Sequence, residues 1–472
     1  MTTSPTVAPR DTAPTPWGRR AAVILVAAGL AGAPAAVLRS VCAGRSCDNP
    51  AQATSSDVPF CSLPDGVRSG IADGFMQGRS PDILAVTGKY AVEGVSGIGA
   101  SARAGAPGAP WPSRAGSDDT VPLVLSGTGV SGGDIPAGTT LDSVAPTLAG
   151  IAGIRRPHPE VRSGEAIAGV RSGGALAETA GRERPRLILE VVWKGVGSRA
   201  LEESDEPTPV LDGLMASGAG TMDARTGSLP LDPAATLTTL GTGGLPRQHG
   251  ITGTVLRNEA GKPAIAWGPG APLSVIAGLG DDLDRSLGGR PKVGLVATEP
   301  SDRGAIGGTW YPGPDEDTVV VPPARAPGAA ARAATKMIAG GFGSDGVVDL
   351  AVVVMTGPIS RLDRALGHVV AAADEVAEGR VTTVVTATGG APGGSPVAAA
   401  RVRSALERAI GAPEAVVAAA APGGVFLDQS AVARQGITDE SVVTALRKLE
   451  IGRRRLFGDA FPAIAVSFSR YC

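Results

Sequence analysis

The sequence predicts an α/β fold: a mostly parallel sheet sandwiched by helices, preceded by one N-terminal apolar helix. Three observations carry this. Strand-like apolar runs alternate with helix-like periodic segments along the body of the chain. LILEVVWKGVG (187–197) is a nearly continuous apolar run that ends in a glycine-rich turn. It reads as a buried parallel strand whose carboxyl end feeds a loop, the place where open α/β sheets bind ligands. Hydrophobic residues make up 43% of the 472 positions, ample for a large core.

The elements follow in chain order. Residues 63–78 carry apolar side chains at helical spacing, and 79–88 read as a strand after a proline turn. VPLVLSGTGV (121–130) is a second strand, expected in the same sheet as 187–192, as is the strand at 79–86. LDSVAPTLAGIAGI (141–154) is a helix, with Asp142 as its N-cap and Pro146 in its first turn. After the strand at 187–192, TPVLDGLMASGAGT (208–221) reads as a helix ending at glycine. PAATLTTLGTG (233–243) reads as another, with Pro233 at its start. RQHGITG (247–253) is a turn. Residues 291–299, 347–357 and 380–390 are strands, and 360–379 is a long amphipathic helix with Leu362, Leu366, Val369 and Val370 on its apolar face.

Composition excludes some functions. The formal net charge is −2, which gives no basic footprint for nucleic acid. The 68 glycines, the many alanines and the excess of arginine over lysine read as the codon bias of a high-GC, actinobacterial genome. His158, His249 and His368 stand alone, without metal-ligand spacing, and no cofactor is expected.

The N-terminus predicts export. Residues 1–20 form a polar leader expected to be disordered, and Arg19-Arg20 precede the apolar segment 21–38. Eighteen helical residues reach about 27 Å, so the segment is either an uncleaved membrane anchor or a cleaved signal. The basic flank keeps the N-terminus inside and sends the rest out. A linker at 39–59 leads to one domain at 60–472. In an exported chain Cys42, Cys47, Cys61 and Cys472 are disulfide candidates, and a Cys61–Cys472 bridge would join the two ends of that domain. In a reducing compartment they would be free thiols.

Several of these segments together resemble the alkaline phosphatase superfamily, the group that includes type I phosphodiesterases and sulfatases. TPVLDGLMASGAGT, TLTTLGTGGLPRQHGITG (236–253), LDRALGHVVAA, VVTATGGAP (384–392) and GGVFLDQ (423–429) resemble family segments in the family's order. GRSPDILAV, VPLVLSGTGVSGGD and LDSVAPTLAGIAGIRRP (141–157) resemble its C-terminal segments, yet here they come first. The resemblance therefore implies a circular permutation, with 60–180 matching the family's C-terminal part and 186–472 its N-terminal part. Permutation is tolerated where native termini lie close together.

The resemblance also implies where chemistry should sit. The family uses a metal pair held by aspartates and histidines, and a Ser or Thr nucleophile at a helix start. Here Lys194 stands at the first ligand position, Pro233 at the nucleophile, and Thr388 and Gly389 at a later Asp-His ligand pair. A cation repels a metal instead of binding it. The resemblance thus implies a catalytically inactive, exported protein that binds or scaffolds at the cell envelope. Lys194 and Thr236 would be candidates for holding an anion at the vestigial cleft, next to a helix N-terminus. For Lys194 a salt-bridged, purely structural role is the competing reading. The alternative function is a phosphoester or sulfoester hydrolase with a non-standard site drawing on Asp232, Asp345 or Asp349. Expected partners are an envelope protein or a small anionic ligand, with the membrane reached through the N-terminal helix and no nucleic acid.

Overall fold

A computed structural model describes residues 59–87, 92–93, 95–97, 119–170, 184–308, 310–312, 316–390 and 397–472. The leader, the apolar segment, Cys42 and Cys47 lie outside the described residues. No helix among the described residues is long and apolar enough to cross a membrane.

In chain order the main strands are β1 (Ile83–Thr87), β2 (Thr120–Gly127), β3 (Gly133–Asp134), β4 (Leu187–Trp193), β5 (Ala219–Arg225) and β6 (Val293–Val296). They continue with β7 (Thr318–Val320), β8 (Asp349–Met355), β9 (Val381–Ala387), β10 (Val417–Ala421), β11 (Gly424–Leu427) and β12 (Phe457–Pro462). The main helices are α1 (Asp65–Gly74), α2 (Val144–Ala152), α3 (Pro209–Ser217), α4 (Pro233–Thr242), α5 (Leu279–Leu287), α6 (Pro327–Ala339), α7 (Ile359–Val376), α8 (Ala399–Ile410) and α9 (Asp439–Arg447).

Eight strands make the large sheet, in the order β7-β6-β8-β4-β9-β2-β5-β3. The run from β7 to β9 is parallel, whereas β2 lies antiparallel to both β9 and β5. Every side chain of β4, β8 and β9 is buried. Successive side chains point to opposite faces, so both faces of the sheet are covered. Helix α6 packs on α7, and α7 on α3, β4 and β9. Helices α2, α4 and α5 pack on one another as a second group. The mostly parallel α/β sheet expected from the sequence is present.

The strand at 79–86 is a correction. It forms as β1 but joins a second, antiparallel sheet in the order β10-β11-β1-β12. That sheet has its own core, where Ile83, Val425, Leu427 and Phe457 pack with Val402 and Leu406 of α8 and Val442 and Leu446 of α9. A five-residue buried run looks the same in a parallel sheet and in a covered antiparallel one, so its apolar pattern could not choose between them.

Two local expectations also change. The helix expected over 208–221 stops at Ser217, and Ala219–Arg225 is a strand paired with β2. Gly218 makes the switch: a Cβ there would lie 2.1 Å from the Leu125 carbonyl, so only glycine allows the close approach of the two strands. Asp142 does not cap α2, which begins after Ser143. Its carboxylate instead accepts the hydroxyls of Thr140 and of Ser163, the latter at 2.5 Å. The turn expected at 247–253 begins as a single helical turn, Pro246–His249.

Cys61 and Cys472 form a disulfide, as expected, across a sequence separation of 411 residues. Closing so long a loop restricts the unfolded chain strongly. Replacing Cys61 with serine is expected to cost about 2–5 kcal/mol of stability, read as a lowered denaturation midpoint, and reduction of the wild type should reproduce the loss.

Candidate functional site

The carboxyl end of β4 meets the start of α4 and the turn after β6. The Lys194 amide donates to the Met355 carbonyl at 2.7 Å, extending the pairing with β8 by one residue. Its side chain is buried. The ammonium has three protons to give. It donates to Asp302 Oδ1 at 2.7 Å, to Thr298 Oγ1 at 3.1 Å, and to Glu299. Burial alone would pull the lysine pKa down, but Asp302 and Glu299 hold it above its usual range.

Those acceptors are fixed by a short 3-10 turn, Pro300–Ala305. The second Asp302 oxygen accepts the amides of Thr298 (2.8 Å) and Glu299 (3.1 Å) and the Thr298 hydroxyl (2.7 Å). Asp302 therefore caps its own turn while it holds Lys194. Arg325 lies 3.9 Å from the other Glu299 oxygen. An anion would have to displace Glu299 or Asp302 to reach the ammonium.

Helix α4 starts at the same place. Pro233 fills its first position, where a missing N–H costs nothing. Asp232 is the N-cap: its Oδ1 accepts Ala234 N at 2.9 Å and the Thr254 hydroxyl at 2.8 Å. Its Oδ2 is buried and has no hydrogen bond. Burial raises the Asp232 pKa, while its hydrogen bonds and the Lys194 charge pull the other way. The Thr236 hydroxyl donates to the Asp232 carbonyl at 3.2 Å, inside the helix.

Thr388 lies on the other side of Lys194. Its hydroxyl accepts Gly195 N at 2.9 Å, and its amide donates to the Trp193 carbonyl at 3.2 Å. Gly389 follows with φ of 85°. The positions singled out in the sequence, Lys194, Pro233, Thr236 and Thr388, thus converge on one end of the sheet. Sequence reasoning missed Glu299 and Asp302. The spacing E-P-S-D, an acid three residues into a proline-started turn, was the signal for the cap, but nothing local indicated that the cap would face Lys194.

The donor set does not fit a metal. The two carboxylates that could ligate a cation are taken by an ammonium, and among the described residues no group of three or more His, Cys, Asp or Glu side chains has metal-site geometry. The other carboxylates have structural work. Asp349 accepts Lys292 N (2.7 Å) and Gly343 N (2.8 Å), and Asp345 accepts Val347 N (2.8 Å).

The histidines are placed apart. His158 is exposed beside Glu160, and His368 is exposed on α7. His249 is fully buried. Its Nδ1 accepts Ile251 N at 3.1 Å, so Nε2 carries the proton and donates to Thr239 Oγ1 at 3.1 Å. Burial, helped by the nearby Arg79 charge, lowers its pKa to about 3. Between pH 6.5 and 3 the unfolded chain binds this proton and the folded one does not, so folding stability is lost as pH falls through that window. The slope from this residue is about 1.4 kcal/mol per pH unit. A His249→Asn variant, which can still accept Ile251 N, is expected to be less stable at neutral pH but to lose this acid limb in denaturation curves.

A second buried ionic cluster ties the 155–162 segment to α5. Arg156 Nε lies 2.7 Å and Arg162 Nη2 3.5 Å from Asp282 Oδ2, and the Tyr311 hydroxyl donates to Asp282 Oδ1 at 2.8 Å. Burial, with the Asp282 charge, pushes Tyr311 up to about 12.

No protein-family model and no curated protein matches this sequence. Among solved structures, the chain is similar to a mutant of alkaline phosphatase PafA, with a TM-score of 0.39 and 14% identity over 59% of this chain and 85% of that chain.

Proposed function

We propose that the chain is a circularly permuted, hydrolytically silent relative of the alkaline phosphatase superfamily, exported and acting as a binding or scaffolding protein at the cell envelope. The observation that carries this reading is Lys194, whose buried ammonium is held by Asp302 and Glu299 at the carboxyl end of the central strand. A positive charge fixed in the protein takes the role a metal ion has in the resembling family: it neutralises the local carboxylates. It cannot polarise a phosphoryl oxygen while it is so engaged, and Pro233 at the start of α4 supplies no nucleophile.

The permutation is supported by the sequence resemblance and by two features of the fold. The segment 120–152, which resembles the family's C-terminal part, contributes β2 to the same sheet as β4. The ends of the domain are joined by the Cys61–Cys472 bridge. Export fits a disulfide of this kind. The test is turnover by the purified full chain of aryl phosphomonoester, phosphodiester and sulfate ester substrates, with added zinc, manganese or magnesium. No turnover above blank is expected. Metal-dependent turnover abolished by Asp302→Asn would establish a working hydrolase instead.

A further inference from the structure

Away from the Lys194 cluster, helices α6 and α7 border a concavity lined by cations. Helices α6 and α7 pack side by side but leave a groove of about 860 Å³ along their solvent side. On α6 the exposed row is Gly328, Arg332, Thr335 or Lys336, and Ala339; on α7 it is Arg361, Arg364 and His368. These spacings of three, four and seven residues put each row on one helix face. Arg332 and Lys336 line one wall, and Arg361, Arg364 and His368 the other. Between the two walls the lining is small: Ala329, Ala331 and Ala365, the last two buried.

No carboxylate lines this groove. Among the described residues Arg332, Lys336, Arg361 and Arg364 form no ion pair. Glu206, which accepts Ser360 N at 2.6 Å, feels the charge of Arg361 but does not bridge to it. In a chain whose formal net charge is −2, four cations in one groove with no carboxylate among its lining are a local field of one sign.

We propose that the α6/α7 groove docks an acidic helical segment of a partner protein. The shape favours this occupant. The groove runs for about 16 Å along α6, which is about three helical turns. The small buried alanines between the walls let another helix approach closely, and cations on both walls match carboxylates on the two flanks of its buried seam. A flat bilayer surface would meet the rims and leave the alanines between them uncovered. The proposal deepens the scaffolding reading by assigning it a surface, and that surface is distinct from the Lys194 cluster.

The probe is a fluorescent fifteen-residue helical peptide with an alanine/leucine seam flanked by glutamates, titrated by anisotropy against the full chain. Saturable binding that weakens with salt is expected. The double reversal Arg332→Glu with Arg364→Glu should weaken it at least about tenfold, as expected for loss of close charge pairs. A peptide with lysine in place of glutamate should then bind the reversed variant better than the wild type. Circular dichroism confirms that the variant is folded, and both replaced side chains are exposed. The proposal is overturned if the glutamate peptide does not bind, if it binds the reversed variant equally well, or if groove-dependent binding is seen only with phosphatidylglycerol vesicles or polyphosphate. These outcomes are independent of turnover, so hydrolase activity would undo the silent-enzyme reading without touching this one.

Discussion

Replacing Glu190 with glutamine is expected to raise the unfolding free energy by about 4 kcal/mol at pH 8 and by very little at pH 4.5. Glu190 sits in the middle of β4, opposite Val352 of β8 and Val384 of β9, and is fully buried with one carboxyl oxygen lacking a hydrogen bond. Burial raises its pKa to about 8. In the unfolded chain a glutamate titrates near 4.5. Between those values the folded protein holds a proton that the unfolded one has released, so stability falls as pH rises and the loss is complete above pH 8. Glutamine keeps the shape and cannot ionise. Urea denaturation of both proteins from pH 4 to 9 measures the effect. Parallel curves across that range would mean that Glu190 is solvated in the folded state. Together with the acid limb from His249, the wild type is expected to be most stable between about pH 4.5 and 6.5.

Lys194→Met is expected to cost about 3–5 kcal/mol at pH 7, because it leaves Asp302 and Glu299 without their cation. Adding Asp302→Asn and Glu299→Gln to Lys194→Met should recover most of that loss, since the asparagine oxygen can still cap the turn at Thr298 and Glu299. A buried ion pair replaced as a unit often costs little, whereas one partner removed costs much. Equal stability of the single and triple variants would show that Lys194 is held by packing alone.

Much of the large sheet was legible because its strands are long, apolar and punctuated by glycine. β4, β8 and β9 lie within a few residues of their expected bounds, and α4 begins at Pro233 as its proline and Asp232 cap indicate. What was not legible depended on distant partners. β1 carries no local mark of the sheet it joins, and the switch from α3 to β5 turns on a contact between Gly218 and Leu125, about ninety residues apart. The candidate site was half visible. Lys194 stood out as a charge ending an apolar run, and the converging positions at 233, 236 and 388 came from the resemblance. Its counter-ions did not stand out, because Glu299 and Asp302 are 105 and 108 residues from Lys194 and resemble ordinary turn acids. Glu190, the one polar residue in LILEVVW, was not singled out, because only the two-sided burial of β4 gives it energetic weight.

The most direct measurement is calorimetric titration of the purified full chain with zinc and manganese, alongside Lys194→Ala. With the ammonium in place, no stoichiometric metal uptake is expected, and removal of the lysine should be what first allows a cation to reach Asp302 and Glu299. Wild-type protein that binds one or more equivalents of zinc, and loses them on Asp302→Asn with Glu299→Gln, would contradict the view that Lys194 stands where a metal would.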